Sequence, residues 1–371
     1  MAVGFPVKDD YATGDVLTAV NMNDFAGTLN TVPDVIGGFA AGKNKIINGD
    51  FNVNQRAFTS ATTAGSYTFD RWRVGVATGG TSTFTTEAFT PGAAPVAGYE
   101  SKNFLQIVTT GQSAVGDGTS ITQRIESTRT FAGQTVTVSF FAKAASGTPG
   151  LSIELSQNFG SGGSSAVLVQ GQKATLSTSW ARYSLTFAIP SISGKTIGTS
   201  DYFDLAMWVS SGSSRDARLN NLGIQSNTFQ IWGVQVEAGS IATPFQTASG
   251  SIGGELALAQ RYYYRFTPTS AAQRLAYGYC NTTTSADLLL AFPVQMRTAP
   301  TALETSGTAT DYSVRTSGNT VTACSAVPAF AIASPYSAEF NFTVASGLTA
   351  GTGAGARAVN TNAYLGWSAE L

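Results

Sequence analysis

The chain contains no histidine. That removes the commonest general base, the usual middle member of a serine triad and the commonest zinc ligand. Charge is scarce as well: charged residues make up 12% of 371 positions, and the formal net charge is -1. A surface that tracks nucleic-acid phosphates needs an excess of Lys and Arg, so no nucleic-acid partner is expected. Cysteine is limited to Cys280 and Cys324, both late in the chain. Two buried thiols are the favoured reading, with a disulfide within the last third as the alternative. No uninterrupted apolar run of about 18 residues occurs, so no membrane insertion is expected. The opening MAVGFPVKDDY lacks the basic and then apolar run of a signal peptide.

Glycine is abundant, at 40 residues, and Ser and Thr are dense. With 43% hydrophobic and 11% aromatic residues, this composition fits many short strands joined by turns rather than a disordered chain. The length allows two or three domains.

Residues 1–44 stand apart. Thr18 is a candidate N-cap, and Met22, Phe25, Ala26 and Leu29 recur at helical spacing before Pro33. One short amphipathic helix cannot bury its stripe alone. It packs either on the next domain or, as an oligomerisation or tail-attachment segment, on a partner through Met22, Phe25 and Leu29.

From Lys45 the period becomes two. Val136, Val138, Phe140, Ala142 and Ala144 share one face of TVTVSFFAKA, and Thr135, Thr137, Ser139 and Lys143 the other. LSIELSQ turns Leu151, Ile153 and Leu155 inward and Glu154 outward, and RWRVGVA aligns Trp72, Val74 and Val76. Alternation of this kind marks half-buried antiparallel strands. About ten such strands fall within residues 45–250, enough for a β-sandwich. In FQIWGVQVE, Gly233 marks a bulge where the facing switches.

Residues 251–265 read as a joint. ELALAQ favours a short helix. RYYYRF favours a strand with Arg261, Tyr263 and Arg265 on one face and Tyr262, Tyr264 and Phe266 on the other. Interleaved arginine and tyrosine also suits a ligand site, but only two arginines occur here. Packing of Tyr262, Tyr263 and Tyr264 between two domains is the preferred reading. Beyond, residues 266–371 form a smaller β domain. ADLLLAFPVQM reads as an edge strand interrupted by Pro293, AEFNFTVAS as a clean alternation of Phe340, Phe342 and Val344, and GTGAGARA as a loop. The expected fold is therefore all-β, an antiparallel sandwich with an N-terminal helical segment and a second, smaller C-terminal β domain.

No catalytic constellation, cofactor motif or metal spacing is evident. Two carboxylates suffice for glycoside hydrolysis, yet Asp201, Asp204, Asp216 and Glu154 form no recognisable pair. In SDYFDLAMW, Phe203, Leu205, Met207 and Val209 face the core, so Tyr202, Asp204 and Trp208 face outward. Aromatic rings stack on the C–H faces of sugars, and a carboxylate accepts hydroxyl hydrogen bonds. Such a face suits carbohydrate, unless another chain or sheet covers it.

Several stretches then add up. NKIINGDFNVNQRAF, YTFDRWRV, SITQRIES, TVTVSFFAKA, WARYSLTFAIP, FQIWGVQVEAGSIATPFQ and ELALAQRYYY, in order over residues 44–265, resemble a family of bacteriophage tail proteins found in tail fibres and tail appendages. GDVLTAVNMNDFAGTLN resembles the attachment segment that opens many tail-fibre proteins. FPVQMRTAPTAL and AYLGWSAEL resemble the distal domain of similar proteins. The resemblance implies a non-enzymatic virion protein, a homotrimer assembled in the host cytoplasm. Its N-terminus would meet other tail proteins, and its C-terminal domain a host-surface glycan or other receptor. A purely structural collar or adaptor and a capsule depolymerase are the alternatives. The sandwich also resembles jelly-roll carbohydrate-binding modules, in which NGDFE and a late aspartate-rich run help hold calcium. Asn48, Gly49, Asp50 and Phe51 match that pattern. Asn52 replaces the glutamate and Gly233 an aspartate, so two ligands of that set have no match and no metal site is assigned.

Overall fold

The computed structural model describes residues 42–371 apart from residue 78. The helix expected around Met22, Phe25 and Leu29 lies outside the described residues. Almost every element is a strand, and every strand pairing is antiparallel.

Two sheets form the first sandwich. The six-stranded sheet runs β1 (Ser60–Ala61), β3 (Thr81–Ala88), β4 (Asn103–Thr110), β11 (Asn227–Ala238), β6 (Thr135–Ala144), β9 (Ala181–Ala188). The five-stranded sheet runs β2 (Arg73–Ala77), β5 (Gly118–Glu126), β10 (Tyr202–Ser211), β7 (Gly150–Asn158), β8 (Val167–Thr175). Sequence neighbours are often not sheet neighbours, as in a jelly roll. Inward residues from both sheets, among them Val74, Phe140, Ile153, Phe203, Phe229 and Val236, meet with Trp72 in one core. Burying each large apolar side chain stabilises the fold by roughly 1.5–3 kcal/mol. Period-two patterning put these residues on one face, and water exclusion selects that face as the inside.

The bulge in β11 falls where expected. Its pairing with β6 shifts register between Trp232 and Gln235, and Gly233 takes a φ of 63°. Val234 and Val236 thereby continue the inward face, while Trp232 pairs with Phe141 on the outer face and is buried there against Phe89, Phe141 and Phe245.

β6 departs from the sequence reading. Thr137 and Ser139 are buried, not solvated. The Arg182 guanidinium donates to Ser139 Oγ at 3.0 Å, and Thr137 Oγ1 donates to the Gly239 carbonyl at 2.8 Å. Chain that follows β11 lies over this face, which period-two patterning within β6 does not reveal.

The joint begins with α1 (Ile252–Gln260), N-capped by Ser251, whose side chain accepts from Gly254 N–H. Glu255 in its first turn is fully buried and accepts from the main-chain N–H groups of Asn48 and Ser249. Only residues 263–266 of RYYYRF form a strand, β12 (Tyr263–Phe266). Arg261 makes a two-pronged pair with Glu126 of β5 at 2.9 and 3.0 Å. Arg71 lies 3.4 Å over the Tyr262 ring and Arg56 3.5 Å over Tyr263. Tyr262 and Tyr263 are buried, and half-buried Tyr264 stacks near-parallel on Trp367 at 6.1 Å.

Two sheets also enclose the distal core. The smaller runs β12, β21 (Leu365–Ser368), β15 (Glu304–Thr305). The larger runs β17 (Val321–Ala323), β16 (Tyr312–Arg315), β20 (Gly353–Ala358), β13 (Arg274–Cys280), β14 (Ser285–Ala291), β19 (Ser337–Thr343), β18 (Ala329–Ala333). Phe340, Phe342, Tyr312 and Trp367 centre this core. Cys280 and Cys324 are free buried thiols, and burial pushes the Cys324 thiol up to about 12.

Two expectations fail here. GTGAGARA is not a loop: residues 353–358 form β20, with Ala354, Ala356 and Ala358 inward. Small residues hid the alternation, because alanine and glycine differ little in hydrophobicity. ADLLLAF is not an edge: β14 pairs with both β13 and β19, and Pro293 lies beyond its end. Nor is the run buried throughout, since Leu289 is 55% exposed.

Candidate functional site

β10 carries Tyr202, Asp204, Ala206 and Trp208 on the outer face of the five-stranded sheet. Phe203, Leu205, Met207 and Val209 point the other way and are buried. Cross-strand pairing surrounds this row with polar groups. Tyr202 sits between Glu126 and Asn158, Asp204 between Arg124 and Ser156, and Ala206 between Thr122 and Glu154. Tyr202, Asp204 and Trp208 are each half-buried, so the floor is neither closed nor bare.

The segment after β10 rises over one end of this floor. Arg218 clamps Glu154 with its Nε at 2.6 Å and its Nη2 at 2.8 Å. Trp208 Nε1 donates to Glu154 Oε2 at 2.9 Å, and Arg215 lies 5.1 Å over the Trp208 ring. Glu154 does face outward, but this segment buries it to 4% exposure. At the other end Arg124 lies 4.3 Å over the Tyr202 ring and donates to the Leu371 main-chain oxygen at 2.6 Å. The second domain thus borders the floor without covering its centre.

Asp204 is the chemically unusual member. Its Oδ1 is sequestered from solvent and has no hydrogen-bond partner on the protein. Burial pushes its carboxyl up to about 7; Arg124 works against that rise and Glu154 adds to it. A desolvated carboxyl is a strong acceptor when ionised and a donor when protonated, so either form can bind a hydroxyl. Flanked by Tyr202 and Trp208 on the same strand, it offers one polar anchor between two aromatic rings.

The sequence missed Arg124, Arg215 and Arg218. Arg124 was legible, because SITQRIES alternates and sets it on the outer face. The other two lie in an irregular segment with no period to read.

Of the remaining carboxylates, Asp201 is engaged through Oδ2, whereas Asp50 keeps one buried oxygen, Oδ1, without a hydrogen-bond partner. Asp201 accepts from Thr128 N–H at 2.7 Å and from the Ser127 and Thr128 hydroxyls at 3.0 Å each. Burial works upward on its carboxyl, but the Thr128 and Ser127 hydrogen bonds outweigh it and hold it below the usual value. A cleft of about 650 Å³ opens between Asp50, Tyr99, Phe245 and the start of α1. Asp50 Oδ2 accepts from Asn52 Nδ2 at 2.7 Å and from the Tyr99 hydroxyl at 2.8 Å. The Asn48 side chain is taken up by Val53 and by the Asp70 carbonyl. No three His, Cys, Asp or Glu side chains converge among the described residues.

No protein-family model matches the chain, and no curated protein matches it either. Solved structures do. The enzymatically active domain of tailspike protein 4 of bacteriophage CBA120 is 14% identical, with a TM-score of 0.29 over 53% of this chain and 22% of that one. A family 11 carbohydrate-binding module from Clostridium thermocellum, solved with a β-1,3-1,4-mixed-linked tetrasaccharide, is 9% identical, with a TM-score of 0.30 over 50% of this chain and 98% of that one. A cyclase from Fischerella sp. TAU, solved with 4-(1H-indol-3-yl)butan-2-one, is 14% identical, with a TM-score of 0.36 over 53% of this chain and 98% of that one. At such identity the likeness is one of fold alone, and the all-β sandwich assignment rests on the strand pairing itself.

Proposed function

We propose that the chain is a tail-fibre or tail-appendage protein of a bacteriophage virion that binds a host-surface glycan without transforming it. The observation that carries the glycan reading is the half-buried Asp204 carboxyl, with its Oδ1 unpartnered, in the outward row of Tyr202, Asp204, Ala206 and Trp208. Neutral sugars present what this floor accepts: apolar ring faces for the aromatic residues and hydroxyls for the carboxyl. The phage setting, the homotrimer and tail attachment through residues 1–44 are supported by the ordered sequence resemblance. Titration of a glycan panel against the full chain tests the binding. Trp208→Ala is expected to weaken the best ligand by at least about tenfold. Unchanged affinity with an unchanged melting temperature overturns the site.

Capsule hydrolysis is the second reading, because Asp204 with its raised pKa has Glu154 as a like-charged neighbour. Binding is preferred on geometry. Both Glu154 oxygens are held by Arg218 and Trp208, leaving neither poised to attack or to activate water. Reducing ends released by the wild type and lost in Asp204→Asn would favour hydrolysis. A purely structural adaptor is separated differently: antibodies against residues 266–371 would then leave adsorption intact.

A further inference from the structure

The larger distal sheet turns one face toward the distal core and the other to solvent. Across the solvent face, β13 presents Tyr277 and Tyr279, which are 66% and 51% exposed. On one side, β20 offers Gly355 opposite Tyr277 and Gly353 opposite Tyr279. Neither glycine has a side chain, and the Cβ position of Gly355 lies 3.6 Å from Tyr277 Cδ1 and 3.7 Å from Arg274 Cδ, so ring and arginine stem lie over it. On the other side, β14 places Leu289 opposite Tyr277 and Asp287 opposite Tyr279, and Asn341 Nδ2 donates to Asp287 Oδ1 at 2.6 Å. The result is a flat aromatic shelf with an acid–amide pair at its side.

Arginines crowd the same face. Arg274 of β13 pairs across the ladder with Arg357 of β20, and Arg315 of β16 pairs with Gly355. Residues 266–371 hold four arginines, and three of them are here. The fourth, Arg297, is bound to the Ala369 and Glu370 carbonyls at 2.8 Å each. Arg274, Arg315 and Arg357 form no ion pair among the described residues, and Nη1 of Arg274 has no hydrogen-bond partner. The Arg274 guanidinium is lowered by burial and then by the charges of Arg315 and Arg357. Two acids share this face, Asp287, held by Asn341, and Glu339, opposite Leu289, and neither makes an ion pair with these arginines. Glu370 is held by Arg71 and Arg56, Asp311 by Asn360, and Glu304 by Tyr263. Like charges left together on a folded surface cost stability, and an anionic ligand relieves that cost.

We infer that this face is a second binding site, for an acidic polysaccharide. The sugar ring would lie on Tyr277 and Tyr279, and its carboxylate or phosphate would meet Arg274, Arg315 and Arg357. Aromatic stacking selects a ring, and the guanidinium forks select a planar or tetrahedral anion. A bare polyanion lacks the ring, and a neutral glycan lacks the charge. The inference extends glycan binding to a site separate from the sandwich floor, so either site can fail alone.

Calorimetric titration of the full chain with an oligogalacturonate tests it. The fully methyl-esterified oligomer and inorganic polyphosphate serve as the neutral and the ring-free probes. The oligogalacturonate is expected to bind, more weakly as salt rises, and both other probes at least about tenfold more weakly. Arg315→Ala, Arg357→Ala and the double variant Tyr277→Ala/Tyr279→Ala should each lower affinity about tenfold without lowering the melting temperature. Trp208→Ala should leave this titration unchanged, which separates it from the sandwich site. No binding of the oligogalacturonate up to millimolar concentration overturns the inference. So does polyphosphate binding equally tightly, or the tyrosine variant binding as the wild type does. If Arg357→Glu instead changes the sedimentation mass, the face is an interface between copies and the inference is wrong.

Discussion

On the outer face of the sandwich, Arg218 closes on Glu154 with two nitrogens, and Arg124 spans the Tyr202 ring and the Leu371 oxygen. On the outer face of the distal sheet, Arg274, Arg315 and Arg357 reach no carboxylate among the described residues. Both faces carry tyrosine, acid and arginine on antiparallel strands. They differ in what lies above them. The segment after β10 folds back over the first face and excludes water, so charges there must be paired. On the second, solvent screens half-exposed Arg315 and Arg357 and pairing is optional, while Arg274 is partly buried with Nη1 unpartnered. Composition is thus a poor guide to what a face can bind. Cover decides whether a charge is already spent inside the protein.

The largest expected effect breaks the paired side. Glu154→Ala strips a buried carboxylate from Arg218 and Trp208, and should cost about 2–3 kcal/mol in denaturant unfolding. The half-exposed Glu339 on the distal face serves as its comparison, with a change within about 0.5 kcal/mol on truncation to alanine. A similar loss at both positions would mean that cover does not distinguish the faces.

A smaller effect is pH-dependent. The folded Asp204 carboxyl sits at about 7, above its unfolded value, so the folded state holds that proton more tightly. Its contribution is fully present below pH about 4 and is lost as pH rises through about 7. Asp204→Asn should therefore stabilise the protein by about 2 kcal/mol at pH 8 and by nothing measurable at pH 4. Melting curves at the two pH values check this, and a pH-independent difference would mean that Asp204 is not desolvated. The smallest effect belongs to the unpaired side. Arg357→Ala should stabilise the distal domain by a few tenths of a kcal/mol at low salt, and less at high salt, as mutual repulsion falls. Destabilisation instead would reveal a partner for that guanidinium.

The two floors are unequally legible in the sequence. Tyr202, Asp204 and Trp208 stood out because their strand alternates cleanly between large apolar and polar residues. Tyr277 and Tyr279 did not, because the strand beside them reads GAGARA and its inward positions are alanines. The joint was readable for another reason: Tyr262 and Tyr263 form a dense aromatic run in a chain of otherwise short patterns, and rings of that size need cover. What covers them, the guanidinium groups of Arg71 and Arg56 from far earlier in the chain, had no local signature.

Sequence alone determined which residues alternate, and hence that the chain folds as antiparallel sheets with Trp72, Phe203 and Phe340 inside. Side-chain direction has a period of two along any strand, so a pattern in the chain becomes a face in space. Tertiary structure alone decided which outward faces stay open. That depends on where irregular segments such as residues 212–226 come to rest, and on which distant guanidinium or carboxylate they bring. Those contacts are set by the packing of the whole sandwich, and no short stretch of sequence encodes them.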